Sequence, residues 1–203
     1  MEESLKSCNS FIKTQKDLDD LLEGYGVETY KWGKKGFKSK EILLEEVKKQ
    51  TSELFIKDGK SIIRKVRSVG INLFYKLPLQ NGSTLTMNLR EVMRVKRDED
   101  GNFVSKNILK RYFETSTGKK LEINEDATEG ALECLKTKLN LAPVELINKR
   151  SFHLERLSSS FPDLESIYEA HEFDVYINSS QFLPSGYCYE SKRTLTILDW
   201  III

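Results

Sequence analysis

The chain has 203 residues, 39% of them hydrophobic and 31% charged, with 11 Gly, 4 Pro and 3 Cys. That profile belongs to a folded protein of one large domain, or of one domain with an appendage, and excludes chain-wide disorder, a collagen repeat and a disulfide scaffold. The formal net charge of +1 conceals segregation: residues 1–30 carry 3 basic and 7 acidic side chains, residues 31–120 carry 22 and 10, and residues 121–203 carry 7 and 14, which leaves −4, +12 and −7. A basic block of that size either attracts an anion or is neutralised internally on folding.

In chain order, the first thirty residues hold no apolar run behind a basic start and too many acids for a transit peptide, so an intracellular protein without a membrane segment is expected. Leu18, Leu21 and Leu22 at helical spacing predict a short helix over residues 14–24, stopped by Gly24 and Gly26. A basic loop, Lys31-Trp-Gly-Lys-Lys-Gly, leads to Ser39, the N-cap of an amphipathic helix that carries Ile42, Leu43 and Val47 and runs to about Gln50. Beyond it, residues 54–57 and 61–66 flank Asp58-Gly59, a hairpin turn. Val69, Ile71 and Leu73 alternate with smaller or polar residues, Asn81-Gly82 turns the chain, and Leu85, Met87 and Leu89 alternate back. A further run over residues 92–95 ends at a turn in residues 98–102, DEDGN. This antiparallel meander carries most of the positive charge.

A longer helix is expected from about Ala127, with Asp126 and Glu129 at its start and Ala127, Ala131, Leu135 and Leu139 forming one buried stripe that Pro143 terminates. Residues 145–157, 168–177 and 195–203 read as strands, the last too apolar to float free and expected either to dock as a terminal strand or to press on a partner. Helix, helix, strands, helix, strands is the order of an α+β fold. Cys8, Cys134 and Cys188 are widely spaced and, with only His153 and His171 beside them, predict free thiols, the last two partly buried, and no zinc site.

No phosphate-binding loop and no serine, cysteine or zinc-protease motif is present. The basic runs of residues 64–67 and 90–97 fall on strands near Phe74, Tyr75, Tyr112 and Phe113. Such a face suits a phosphorylated ligand better than nucleic acid, since no aromatic RNA-binding signature accompanies it. Arg64, Arg67, Arg90 and Arg94 are therefore the candidate ligand-binding residues.

Residues 118–141, GKKLEINEDATEGALECLKTKLNL, resemble the Nudix box, G-x5-E-x7-R-E-U-x-E-E-x-G-U with U aliphatic. Glu125 takes the first Glu position and Leu135 and Leu141 the aliphatic ones, while Gly118 and Glu122 match the common lead-in G-G-x-x-E-x-G-E. Residues 158–171, SSSFPDLESIYEAH, and the Tyr30-Lys-Trp-Gly-Lys segment are also similar to stretches of Nudix-like proteins. The resemblance implies an α/β/α sandwich with a mixed sheet over residues 51–203, behind a helical extension of residues 1–50. It also implies Mg²⁺ chemistry, because the family's helix glutamates hold the ion against a diphosphate.

Here the family's Arg position is Glu133, its three Glu positions are Cys134, Thr137 and Lys138, and its Gly is Asn140. The expectation is thus a catalytically degenerate module without a cofactor or catalytic residue, binding a phosphorylated ligand or a protein partner. Two alternatives stay open. One is an Mg²⁺-dependent pyrophosphohydrolase that uses Glu122, Glu125, Glu129 and Glu133, the last two an i, i+4 pair. The other is a structural subunit of a larger assembly. If the acids are not ligands, Glu125 and Glu129 complement the helix N-terminus and Glu133 pairs with Lys136 or Lys138.

Overall fold

The computed structural model describes residues 5–34, 36–97, 102–108, 115–142, 144–191 and 194–203. Contacts divide the chain into two compact units, the first made of residues 1–68, 120–125 and 151–170, the second of residues 69–119, 126–150 and 171–203. The boundary expected at residue 50 falls inside the first unit. The turn expected over residues 98–102 lies, but for Asn102, outside the described residues, as do Tyr112, Phe113 and Pro143.

The first unit opens with β1 (Leu5–Ser7), a strand too short to show in the pattern, which pairs antiparallel with β2 (Glu53–Lys57). Helix α1 (Gln15–Gly24) starts on a reciprocal cap: the Thr14 hydroxyl accepts from Asp17 N–H at 3.2 Å, and the Asp17 carboxylate accepts from Thr14 N–H at 2.8 Å. Gly24 is the last helical residue, and the left-handed turn after it belongs to Gly26, with φ 70°. Helix α2 (Lys40–Lys48) follows Ser39 as expected. Asp58 and Gly59 both take positive φ, 50° and 68°, and join β2 to β3 (Ser61–Pro78), whose first residues belong to this unit. The core collects Leu18 and Leu22 of α1, Leu43 and Val47 of α2, Leu54, Ile62 and Trp32, together with Phe161 and Leu164 from far along the chain. A chain that buries such an N-terminal segment against residues a hundred positions away folds it as core, not as a free appendage.

In the second unit the remainder of β3 keeps the predicted alternation, with Val69, Ile71, Leu73 and Tyr75 buried. It pairs antiparallel with β4 (Thr84–Arg97), and β4 in turn with β5 (Phe103–Ile108) and with β10 (Thr194–Ile202). The C-terminal run is therefore an interior strand, flanked on its other side by β9 (Tyr187–Ser191). Trp200 is its anchor: the indole N–H donates to Leu183 O at 2.8 Å and the ring meets Tyr75, Phe182 and Tyr187. Strand β8 (Glu165–Ile177) pairs with β3. Asn72 Nδ2 donates to Asp174 Oδ1 at 3.1 Å and Phe74 stacks on Tyr176, a constant offset that makes these two strands parallel. The sheet is mixed and the fold is α+β, as the sequence predicts. Strand β7 (Ile147–Leu157) pairs with β8.

Helix α3 (Ala127–Leu139) buries the predicted stripe of Ala127, Ala131, Leu135 and Leu139 and adds Gly130 and Cys134 to it. Asp126 caps it by accepting from the N–H groups of Thr128 and Glu129 at 2.7 and 3.1 Å. Asn140, at the family's Gly position, ends it in the left-handed conformation with φ 53°, which Asn tolerates better than other side chains. Strand β6 (Thr117–Lys120), unannounced by any alternation, pairs with β3. Among the described residues no helix is long and apolar enough to cross a membrane. Cys8 and Cys134 are buried and Cys188 is exposed, so the thiol expected to be open at the N-terminal end and the one expected to be covered near the C-terminal end exchange places.

Candidate functional site

The four candidate arginines are all committed to protein partners. Arg64, 2% exposed on β3, donates from its Nη2 to Glu46 Oε2 at 2.6 Å and from Nε to Ser52 Oγ at 3.0 Å. Arg67, of the opposite parity on the same strand, donates to the carbonyls of Glu122, Ile123 and Glu125 at 2.8–3.2 Å and so fastens that turn. Both belong to the first unit. Arg90 and Arg94 lie on β4 in the second unit, where Arg94 meets the buried Glu91 at 2.6 Å and Arg90 stands in register with Asp199. The charges of Arg64 and Arg94 are thus met from within, by Glu46 and Glu91.

The carboxylates of the Nudix-like segment serve local structure. Glu125 accepts from Glu122 N–H at 3.0 Å, and Glu122 itself is exposed. Glu129 is exposed in the first turn of α3, and Glu133 pairs with Lys119 of β6, not with Lys136 or Lys138. Among the described residues no three His, Cys, Asp or Glu side chains stand together as a cation site. At the family's ligand positions, the Cys134 thiol is buried and lies 3.9 Å from the Thr117 hydroxyl, Thr137 donates to Glu133 O at 2.8 Å, and Lys138 donates to Gly118 O. Burial pushes the Cys134 thiol up from its ordinary value, so it stays neutral. A neutral thiol and an ammonium do not fit Mg²⁺, which requires oxygen donors. Gly118, the first glycine of the lead-in pattern, is required for another reason: a Cβ there would stand 2.3 Å from Val69 O of β3.

Two motifs singled out in the sequence converge in the first unit. The loop after β7 is pinned by Ser158, whose Oγ accepts from the N–H groups of Ser160 and Phe161 at 3.2 and 3.1 Å. That turn drives Phe161 into the core, fully buried, 5.0 Å from the Trp32 ring centre, while the Trp32 indole N–H donates to Pro162 O at 2.8 Å. Lys38 N–H donates to Ser160 O at 3.0 Å and Lys31 reaches Asp163 at 3.4 Å. The Tyr30-to-Lys38 loop and the Ser158-to-Leu164 loop therefore form one assembly.

Against it sits the charge cluster that defines the site. Glu46, on the buried face of α2, accepts on Oε2 from Arg64 and from Ser52 Oγ at 2.8 Å, and its Oε1 faces Lys38 Nζ at 2.7 Å and Lys120 Nζ at 2.6 Å. Three cations surround one carboxylate. Burial alone would raise the Glu46 carboxyl, but Arg64, Lys120 and Lys38 outweigh it and hold it at about 2. Lys120 is pulled down to about 8 by burial first and by Arg64, despite Glu46. Its Nζ is buried without a hydrogen bond of good geometry, whereas the Lys38 side chain remains 36% exposed. Of this group the sequence pattern singles out only Arg64. The legible sign was an acid, Glu46, set on the apolar stripe of α2 beside Leu43 and Val47. Nothing in the sequence pointed to Lys120.

The histidines stand apart from this cluster. His153 is exposed and faces Glu155 of its own strand at 3.5 Å, and His171 is half-buried on β8.

No protein-family profile and no curated protein matches the chain in sequence. Among solved structures it is similar to a mutT/nudix family protein from Listeria innocua, with a TM-score of 0.37 and 16% identity. The match covers 57% of this chain and 66% of that one, just under two thirds of its length.

Proposed function

We propose that the chain is a non-hydrolytic binding module that takes an anionic group, phosphoryl by preference, at Lys38 and Lys120. The observation that carries this reading is the charge imbalance around Glu46: Arg64, Lys38 and Lys120 bring three positive charges to one carboxylate and leave an excess of two. A half-buried excess of that kind is costly in an environment less polarisable than water, and an oxyanion relieves it. Ammonium groups act as point charges towards phosphate and impose little geometry, which fits a site made of two lysines backed by a fixed guanidinium. Glu46 is then a positioning residue that holds both lysines on one side. The unfit side chains at the Nudix metal positions support a role in binding over one in hydrolysis.

The test is a thermal-shift and calorimetric titration with inorganic phosphate, pyrophosphate and a panel of nucleoside diphosphate derivatives, at low and moderate salt. A phosphorylated ligand is expected to raise the melting temperature, with the effect shrinking as salt rises. Lys38→Met and Lys120→Met, which keep an apolar stem, should each weaken binding by about tenfold or more. If no anion shifts the melting temperature, the reading fails. If Mg²⁺-dependent phosphate release accompanies binding, the pyrophosphohydrolase replaces it.

A further inference from the structure

Strand β7 lies at an edge: among the described residues it is hydrogen-bonded to β8 and to no other strand. Its residues 151–157, Ser-Phe-His-Leu-Glu-Arg-Leu, are exposed without exception. Three of them are large and apolar, with Phe152 47%, Leu154 46% and Leu157 60% exposed. Edge strands are normally blunted by proline, a bulge, shortness or charged side chains; this eleven-residue strand contains no proline or glycine, and its charges, Lys149, Arg150, Glu155 and Arg156, leave Leu154 between them. A long edge with exposed apolar side chains between its charges is a template for another strand.

We propose that this edge pairs antiparallel with β7 of a second copy, around a two-fold axis at Leu154. The axis is placed by two observations. The exposed run is centred on Leu154, and the charges complement one another only poorly if the axis moves by one residue. With the axis at Leu154, His153 faces Glu155 of the second copy, and Phe152 faces Arg156 of the second copy, each contact occurring twice. Leu154 meets its own equivalent at the centre. On one face the result is an apolar band of Phe152 and Leu154 from both copies, flanked at each end by Arg156, whose guanidinium lies 5.0 Å from the Tyr168 ring of its own copy; on the other it is two imidazole and carboxylate pairs. An axis at His153 would instead set Arg150 against Arg156 and His153 against itself. The two-fold makes the interface self-complementary and closed, so it produces a dimer and not a fibre.

Sedimentation of the full chain over a concentration series tests this. The mass is expected to rise from one copy to two as concentration increases. Leu154→Glu places two carboxylates face to face on the axis and should weaken association by about tenfold or more. Glu155→Lys sets an ammonium against His153 and should weaken it too, while the double variant His153→Glu with Glu155→Lys reverses both charges and should restore it. All these positions are exposed, so unchanged melting temperatures separate association from folding. A wild-type chain that stays monomeric throughout, or a dimer that ignores these variants, overturns the proposal. So does capture of a different protein on β7 by a chain that does not self-associate.

Discussion

Replacing Glu46 by Gln removes one charge from the buried cluster and almost no volume. The carboxyl lies at about 2 instead of its ordinary 4.5, and that difference corresponds to about 3 kcal/mol of stability at neutral pH. Removing one partner from a buried ion pair costs about 3–5 kcal/mol in other proteins, which agrees. The sign follows from the direction of the shift: a depressed carboxyl contributes fully above 4.5 and loses its contribution as pH falls through about 2. The deficit of Glu46→Gln relative to wild type should therefore be largest near pH 5–7 and vanish towards pH 2. It should narrow again towards pH 8, because without Glu46 the remaining cations push Lys120 further down and the variant sheds that proton earlier. Urea denaturation at a series of pH values measures both limbs. A deficit below about 1 kcal/mol at pH 7, the size of an exposed pair, would refute the argument. A deficit independent of pH would do the same.

Phosphate binding should itself depend on pH through Lys120. The free site loses that proton near 8, so calorimetric affinity is expected to fall above that pH by up to about tenfold per unit. Gly118→Ala should destabilise the chain by about 1–3 kcal/mol or more, because the new methyl meets the Val69 carbonyl of a neighbouring strand and not a side chain that swings away. Denaturant midpoints read this directly, and a neutral substitution would mean that β6 can retreat from β3. A thiol reagent should label Cys188 in the native protein and reach Cys8 and Cys134 only after denaturation. Burial both blocks access to Cys8 and Cys134 and holds their thiols in the neutral form.

Local patterns predict local geometry well in this chain. Alternation in β3 and β4, the Asp58-Gly59 and Asn81-Gly82 turns, the Thr14 to Gly24 helix and the stripe of α3 each depend on residues a few positions apart, and each is found where the pattern puts it. Strands β6 and β9 are not found that way. Thr117-Gly-Lys-Lys has no alternation to read, and it becomes a strand because Gly118 lets it lie against the backbone of Val69 and because Lys138 of α3 reaches its carbonyl. The Nudix-like stretch shows the same division. Its apolar framework was legible as a capped, one-sided helix, whereas the fate of its charges was not: Glu133 finds Lys119 on a strand that the sequence had not announced.

The α+β class, the segregation of charge and the absence of carboxylates at residues 134, 137 and 138 follow from composition, periodicity and residue identity, which are properties of the chain alone. Which charges are neutralised, and which are left in excess, depends on where folding brings them together. Arg64, Arg67, Arg90 and Arg94 were indistinguishable as members of a +12 block, yet their partners are Glu46, three backbone carbonyls, a register opposite Asp199, and Glu91. The excess emerged at Lys38 and Lys120, which are 82 positions apart in sequence and meet on one oxygen of Glu46. Electrostatic energy depends on distance in space and on burial, and neither is written in the order of the residues.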